Sequence, residues 1–411
     1  MMQGNVFEES KKQQAFWPLL ALVVWALGML FSRAMVSTGM FLFFLSALRL
    51  AYFRSGEVRN YFSSLLFFGP VLFFILPLIH LPFTEDISYG LTHLRLKLPF
   101  LLLPFSFYMH RHLIQRFIPA LLLSFSGIVF LTALFSVFLF FIHQETHLND
   151  ILHGKHIPVP FNPVRFSLML AMSGFSFLYY SGVYKDRTRM LLLSLFICTV
   201  ILQHVLATRS GIIVLYALVF SYGLFLWRKS VHTSRLALFF LVPVLLPVLA
   251  WFTVPSFQAR IRYMRYEMEL IQNNQVTFGS DVMRRLSIMG GWHVFTTHPL
   301  LGAGGDMKQQ MQDWYVDTYQ LTDEAVQQLP HNQFVWMLAC YGLIGGIFFT
   351  LLFFFPFFRL KGWQHPLLAA FTLMFFVSFL VEPTWEEQIG SAYYNWLWGL
   401  VIIYSNKIAD E

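Results

Sequence analysis

Long apolar segments recur along nearly the whole chain and are separated by short polar connections. A run of about 18 or more apolar residues is long enough to cross a hydrocarbon layer of roughly 30 Å as a helix. A transmembrane β-barrel would instead show short segments of alternating polarity. The pattern therefore predicts an all-α polytopic membrane protein with about twelve spans. These are residues 15–32, 36–53, 61–81, 94–109, 116–142, 165–183, 190–207, 211–227, 236–254, 331–358, 366–382 and 392–405.

One long segment, residues 254–330, interrupts this pattern because it is mostly polar. It is predicted to contain a helix on the membrane surface, a turn, a second helix, a tight loop and a partly helical stretch: Phe257–Gln272, Asn273–Ser280, Val282–Thr297, His298–Gly305 and Asp306–Leu329. The first helix is predicted because apolar residues recur there at helical spacing. We expect one integral membrane domain, residues 1–411, with 254–330 as a long loop between spans nine and ten.

Lysine and arginine residues follow alternate spans, beginning with Lys11 and Lys12 before the first. Because cytoplasmic loops are enriched in these residues, both termini are predicted to be cytoplasmic and residues 254–330 to lie on the outer face. Arginines nevertheless occur on the outer face as well, and they suggest an anionic ligand there: Arg95, Arg209, Arg260, Arg262, Arg265, Arg284 and Arg285.

The composition supports a membrane protein, because 57% of the residues are hydrophobic and only 12% are charged. The net charge of +7 does not indicate nucleic-acid binding, since the basic residues are scattered over short loops. Cys198 and Cys340 both fall inside apolar spans, so no structural disulfide is expected. No spacing of histidines, cysteines and carboxylates indicates a metal site, and no cofactor is predicted.

His331 is the first candidate for chemistry, because it follows Pro330 and opens an apolar helix. The partial positive charge of a helix N-terminus disfavours the imidazolium form. A neutral imidazole near pH 7 accepts a proton from a hydroxyl group. The alternative is an interfacial histidine that only caps the helix.

Several arginines are candidates for binding an anion. Arg209 lies in a short break between two spans, where its planar guanidinium would suit phosphate oxygens, or where it would anchor the chain at lipid headgroups. Arg284 and Arg285 begin the second helix of the long segment, a position unfavourable for cations. An anion nearby would explain them, and so would a pairing with Asp281.

Further charged residues are predicted on the same face. Arg95 and Lys97, at the outer mouth of span four, would add to an anion site or contact lipid headgroups. The cluster Glu382, Glu386 and Glu387 would orient His331 or an arginine, or would form a solvated loop end. The glycine loop 302–305 would cradle phosphate with its amides or serve as a structural turn.

Taken in order, these motifs resemble the O-antigen ligase/polymerase superfamily. The resemblance is carried by Thr208-Arg209-Ser210-Gly211, by an arginine before His298-Pro299-Leu300-Leu301-Gly302-Ala303-Gly304, and by His331-Asn332-Gln333-Phe334 followed by Tyr341-Gly342-Leu343-Ile344-Gly345. Glu387-Gln388-x-Gly390 is similar to some bacterial ligases of this group. Cys340-Tyr341 before Gly342 departs from the pattern, where a more polar residue is expected.

The resemblance implies a GT-C-like glycosyltransferase whose long loop and active site are periplasmic. It implies that Arg209 and one of Arg284 or Arg285, preferably Arg285, bind a polyprenyl diphosphate, and that His331 acts at the acceptor hydroxyl. Asn332 and Glu387 are implied as substrate-binding residues, beside Arg284, Arg95 and Lys97. Neither a nucleotide nor a metal is implied.

The preferred function is an O-antigen ligase of the bacterial inner membrane. It would move a glycan from undecaprenyl diphosphate to lipid A-core, with inversion of the anomeric centre. An O-antigen or exopolysaccharide polymerase and a protein O-oligosaccharyltransferase would use the same donor chemistry. A flippase or exporter of lipid-linked sugars would instead place charged residues in the middle of spans, whereas here they lie at span ends.

Overall fold

The computed structural model describes residues 2–49, 56–229, 233–272, 280–322 and 328–410. These residues form helices joined by turns and contain no β-strand, which confirms the all-α prediction. The α-helices in chain order are α1 (Met2–Phe31), α2 (Arg33–Ala47), α3 (Glu57–Ser63), α4 (Leu65–Phe68), α5 (Leu72–His80), α6 (Ile87–Ile114), α7 (Ile118–Ile142), α8 (Gln144–Leu152), α9 (Pro163–Ser181), α10 (Asp186–Leu206), α11 (Arg209–Arg228), α12 (Thr233–Thr253), α13 (Pro255–Gln272), α14 (Ser280–Thr297), α15 (Met307–Tyr319), α16 (Gln333–Arg359), α17 (Pro366–Val381) and α18 (Gln388–Asp410).

The described residues include five helical runs that are long and apolar enough to cross a membrane. A bent pair, Pro243–Thr253 with Pro255–Leu270, adds a sixth if it counts as one span. The five runs are Leu65–Phe83, Ile87–Ile142, Asp186–Leu206, Arg209–Arg228 and Gln333–Arg359. The chain is therefore a membrane protein, while about twelve crossings remains a prediction.

Over the described residues the predicted spans lie largely within helices, although the third one is divided. The second predicted span, 36–53, extends past the end of α2, and its last four residues lie outside the described ones. Residues 61–81 contain an extended residue, Ser64, and a 3-10 turn, Gly69–Val71. The 3-10 turn forms where glycine and proline, which do not continue an α-helix well, follow each other. The run Ile87–Ile142 has 56 residues. At about 1.5 Å per residue it has the length of two crossings, with the 3-10 turn Gln115–Phe117 between α6 and α7.

The long polar segment is mostly helical. At Val254 the chain bends by 97° between α12 and α13, so α13 leaves the direction of the preceding span. The helices α13, α14 and α15 begin within two residues of the predicted helical stretches. The predicted turn Asn273–Ser280 lies outside the described residues except for its last position.

Two sequence motifs meet backbone to backbone in the fold. In the turn after α14, the Ala303 amide donates a hydrogen bond to the Ala339 carbonyl (2.9 Å). The Pro299 carbonyl of the same turn accepts a hydrogen bond from the Leu343 amide (2.8 Å). Helix α16 is broken at Gly342, whose φ is +63°. A Cβ at Gly342 or at Gly302 would overlap the backbone of the other segment. Glycine at both positions therefore permits the contact that ties the long segment to α16.

A buried aromatic cluster lies beneath the loop between α17 and α18. Trp385, only 1% exposed, packs its ring against Phe73, Phe100, Phe349 and Tyr394, with centroids 4.6–5.0 Å apart. Aromatic side chains bury large apolar areas and hold specific geometries. The cluster joins α5, α6, α16 and α18 and positions the loop that carries the three glutamates.

Candidate active site

His331 lies directly before α16 and contacts α14. Its backbone amide donates to the Ser287 hydroxyl oxygen (3.1 Å), and its Nδ1 lies 3.4 Å from the same oxygen. Ser287 is fully buried and donates its own proton to the Arg284 carbonyl (2.8 Å). Because a hydroxyl has one proton to donate, the Ser287 oxygen acts as the acceptor for the His331 amide. His331 is thereby attached to the helix that carries Arg284.

Asn332 begins α16 as its N-cap. Its Oδ1 accepts hydrogen bonds from the amides of Phe334 (2.9 Å) and Val335 (3.0 Å), which satisfies donors that a helix start leaves open. Its Nδ2 donates to the Leu380 carbonyl at the end of α17 (3.1 Å). The Asn332 side chain, which the sequence predicted to bind substrate, thus helps to hold His331 in place.

Burial and the positive charge of Arg284 lower the pKa of His331 to about 4. The lowered pKa agrees with the neutral imidazole that the sequence predicts. Its causes are burial and Arg284, however, and not the partial charge of the helix N-terminus. Glu387 opposes the shift, and Arg165 adds to it. His331 is consequently neutral at pH 7, with charged side chains of both signs around it.

Arg284 and Arg285 point in different directions. Arg284 donates to the Glu382 carboxylate (3.3 Å) and acts on His331, whereas Arg285 is exposed and forms no ion pair with any residue that the structure describes. The side chain of Asp281, the alternative partner for both, lies outside the described side chains. The structure thus brings Arg284 to His331, although the sequence had favoured Arg285.

Arg209 is related to the same region by its effect on His156, a histidine on which Arg284 also acts. Burial first, and then the charges of Arg260, Arg284 and Arg209, lower the pKa of His156 to about 3. Arg260 is buried and its Nη2 lies 3.0 Å from Nδ1 of His156. Three arginines from α11, α13 and α14 therefore act on one imidazole that the sequence did not single out, and Arg260 contacts it directly.

The break that presents Arg209 is closely packed. Ala207 ends α10 in the left-handed conformation, with φ +51°, and Thr208 then begins α11 as its N-cap residue. A Cβ at Gly211 would overlap the side chains of Gln203 and Ser167. The Ser-Gly of this motif thus allows α9, α10 and α11 to meet just beneath Arg209.

Arg165, in the first turn of α9, is a site residue that sequence reasoning missed. Its side chain is 5% exposed, and Nη1 donates to the Glu387 carboxylate, which is 50% exposed. Its Nε and Nη2 are buried without a hydrogen-bond partner among the described residues. The sequence did contain a signal for Arg165. It is a cation in the first turn of an apolar helix on the predicted outer face, and cations are unfavourable at that position.

The three glutamates of the loop after α17 have separate partners. Burial raises the pKa of Glu382, against the opposing charges of Arg284 and Arg165. Glu386 is buried and accepts from Lys97 (2.6 Å), from Gln333 (2.8 Å) and from His93 (2.5 Å). Burial alone would raise the pKa of Glu386, but Lys97 and His93 lower it overall. None of the three is a freely solvated loop end.

Two predicted site residues lie apart from His331. Lys97 is buried, and its ammonium group donates to Glu386 and to the Trp385 carbonyl (3.1 Å), so it does not face an open anion site. Arg95 is exposed at the edge of an apolar groove of about 430 Å³. Residues of α2, α6 and α18 line this groove: Ser37, Met40, Phe41, Leu98, Leu102 and Gln388.

The site has an excess of positive charge. Arg284 and Arg165 act on both His331 and Glu382, Arg260 and Arg209 act on His156, and burial favours the neutral form of Glu382. Such an arrangement favours an anionic ligand with several oxygen acceptors. Among the described residues, no group of three histidines, cysteines or carboxylates could hold a metal ion.

These features define a helical membrane protein with an arginine-rich site around a neutral histidine. A protein-family model described as O-antigen ligase matches residues 191–350, which include Arg209, Arg284 and His331. This match confirms the resemblance to the O-antigen ligase-like superfamily over that part of the chain, and it supports an enzyme of the ligase or polymerase type. No curated protein matches the chain.

Proposed function

We propose that this protein is an O-antigen ligase-type glycosyltransferase of the bacterial inner membrane. It moves a glycan from undecaprenyl diphosphate to a lipid A-core acceptor at the periplasmic face. The main support is the convergence of Arg209 and Arg284 on one region that also contains His331. The family match over residues 191–350 supports the same reaction class.

The donor diphosphate binds between Arg209 and Arg284 in this proposal. As the acceptor oxygen attacks the anomeric carbon, the bond from that carbon to the diphosphate oxygen breaks. The electron pair stays on the diphosphate, so negative charge develops next to the guanidinium groups. Preorganised donors of this kind contribute about 3–4 kcal/mol each to transition-state stabilisation. Attack opposite the leaving group inverts the anomeric centre.

His331 accepts the proton of the acceptor hydroxyl. A pKa of about 4 makes it a weak base in the free protein. The negative charge of a bound diphosphate offsets the effect of Arg284, so donor binding raises the pKa of His331 toward the working pH. The imidazole thereby becomes an effective base when the donor is in place.

The polyprenyl tail lies in the groove that Arg95 borders. The groove has apolar walls from α2 and α6, and Gln388 at its edge is the neighbour of Glu387. Arg165, together with Glu387, completes the polar wall next to His331. Lys97 and Asn332 act as positioning residues, since Lys97 bonds the loop that carries the glutamates and Asn332 bonds the end of α17.

The test is transfer by purified protein in detergent, without a gradient, with undecaprenyl-diphosphate glycan and each acceptor in turn. Glycan on lipid A-core supports the ligase. Extension of a second lipid-linked repeat identifies a polymerase, and glycan on serine or threonine identifies a protein transferase. Absence of transfer to any acceptor, with movement of lipid-linked sugar across proteoliposomes, would identify an exporter and refute the proposal.

A further inference from the structure

A polar cavity lies at the opposite end of the helix bundle from His331. Its volume is about 730 Å³. Helix α11 runs from Arg209 at the candidate site to Arg228 at this cavity, and α16 runs from Gln333 to Arg359. At about 1.5 Å per residue α11 alone is some 30 Å long. The cavity is therefore separate from the candidate active site.

Cations from two connections converge on this cavity. Arg228 and Lys229 come from the end of α11, and Arg359 and Lys361 from the end of α16. None of them forms an ion pair with a residue in the described part of the chain, and the lining contains no carboxylate. The enrichment of cytoplasmic loops in lysine and arginine explains why these four residues are positively charged, but it does not explain why they converge on one concave surface. Like charges brought together in this way favour an anion.

Apart from Leu360, the rest of the lining is polar or aromatic. It includes Trp363, Gln364, the buried His365 and Phe225, whose ring lies 4.7 Å from the Lys229 ammonium. Trp227 and Trp363 are exposed at this end, as expected of aromatic residues at a membrane–water interface. The cavity thus lies at the depth where lipid headgroups are found.

An apolar crevice of about 330 Å³ shares four lining residues with the cavity. It continues between α9, α11, α17 and α18, and its walls are mostly aromatic or aliphatic: Tyr179, Tyr222, Leu226, Leu367 and Tyr404. From Lys229 to Tyr222 the crevice follows α11 for about 10 Å. The two spaces together suit a molecule with an anionic head and a hydrocarbon chain.

We propose that this cavity binds the phosphate-bearing headgroup of an anionic membrane lipid, with one hydrocarbon chain in the adjoining crevice. The lipid comes from the leaflet that the lysine and arginine distribution predicts to be cytoplasmic. A soluble phosphate ligand would use the same cations but would leave the crevice without a role. Basic pockets between helices on this side of a membrane are suited to such headgroups.

The first test measures binding of phosphatidylglycerol and phosphatidylcholine to the purified protein by native mass spectrometry. The variant lacks the four cavity cations: Arg228→Gln, Lys229→Gln, Arg359→Gln and Lys361→Gln. The matched control removes the same charge from other loops of this face: Arg116→Gln, Lys185→Gln, Arg187→Gln and Arg189→Gln. We expect phosphatidylglycerol to be preferred, with affinity reduced at least about tenfold in the cavity variant and little changed in the control. Equal losses in both variants would overturn the site.

Two further arms separate the possible sources of the phosphate group. Leu226→Trp fills the crevice and should weaken phosphatidylglycerol binding without changing binding of inorganic phosphate. If inorganic phosphate displaces the lipid completely and Leu226→Trp has no effect, the ligand is a soluble anion and the lipid proposal is wrong. Because His331→Ala should retain the lipid, a failure here is distinct from a failure of the proposed transfer reaction.

A measurement on the unmodified chain covers the case in which the fourfold variant does not fold. Phosphatidylglycerol with a photoactivated headgroup should label peptides that contain residues 225–229 and 359–365. Excess unlabelled phosphatidylglycerol should suppress this labelling more than phosphatidylcholine does. Labelling confined to other loops would show that the cavity is not the binding site.

Discussion

Lys97 donates a hydrogen bond from Nζ to Oε1 of Glu386, at 2.6 Å, inside the helix bundle. Gln333 joins the pair, since its Nε2 donates to Glu386 (2.8 Å) and its Oε1 accepts from the Trp385 amide (2.9 Å). The first turn of α16, which follows His331, is thereby bonded to the loop that carries Glu387. The pair positions two elements of the candidate site without itself facing a ligand.

Replacing Lys97 with methionine should therefore destabilise the protein, because it removes the lysine counter-ion of the buried Glu386 carboxylate and leaves only His93 and Gln333 as its partners. Breaking one partner of a buried pair costs about 3–5 kcal/mol. The double variant Lys97→Met with Glu386→Gln should recover most of the loss, and this is measured by thermal unfolding in detergent. Arg95→Met, at an exposed neighbour, is the control. If Lys97→Met unfolds like the unmodified protein while donor affinity falls, Lys97 binds ligand after all.

The two adjacent arginines of α14 should differ sharply in activity. Arg284→Gln should lower the transfer rate about 10²- to 10³-fold, because in the proposed reaction it removes a charge that faces the leaving diphosphate. Arg285→Gln should change the rate by no more than a few-fold, since Arg285 is exposed. Initial rates with saturating acceptor compare the two variants. If Arg285→Gln lowered the rate more than Arg284→Gln, the arginine that binds the diphosphate would be Arg285.

The low pKa of His331 predicts a characteristic dependence of activity on pH. The neutral base is lost when pH falls through its pKa, which burial and Arg284 lower to about 4. The ratio kcat/KM reports the free enzyme and should stay flat from pH 8 down to about 5. The acidic limb of kcat should lie at higher pH, because the bound diphosphate raises the pKa.

Arg284→Gln serves as the control for this pH profile, because it removes a charge that disfavours the imidazolium. It should move the acidic limb of kcat/KM to higher pH even though the rate is low. A limb that stays in place in this variant, or that persists in His331→Ala, would assign the titration to another group.

Arg165 and Glu387 should respond unequally to mutation. Glu387→Gln leaves a guanidinium buried without its carboxylate, at a cost of about 2 kcal/mol or more. Arg165→Gln leaves a carboxylate that is 50% exposed and remains hydrated, so the free energy of unfolding should change less. Thermal unfolding of both variants and of the double variant gives the coupling between them. Equal destabilisation by the two single changes would show that solvent already screens the pair.

The contact between the His298–Gly304 turn and α16 predicts that both glycines resist substitution. Gly302→Ala and Gly342→Ala each place a Cβ against backbone at positive φ, which costs of order 1–3 kcal/mol. Gly127→Ala in α7 is the matched control, because no atom lies within 4 Å of its Cβ position and alanine favours a helix. If all three variants unfold alike, the backbone contact contributes little to stability.

Much of the fold follows from local sequence pattern. Apolar length and helical period depend on neighbouring residues, which is why the predicted helices of the long segment agree with α13 and α14 to within two residues. His331 and Arg209 were recognisable because they lie at the ends of apolar spans, and the arginine pair of α14 because cations are unfavourable at the start of a helix. The chemical groups of the site were therefore largely predictable.

Which of these groups share a site is a property of the tertiary structure. Arg284 and Arg285 differ by about 100° around one helix, and only the docking of α14 decides which faces His331. Lys97 lies 289 residues from Glu386 and Arg165 lies 222 from Glu387, so no local pattern relates them. The amino-acid sequence determined the membrane helices and supplied the cations, because hydrophobicity and charge belong to each residue. Burial and pairing depend on residues distant in the chain, and the packing of the bundle alone decided them.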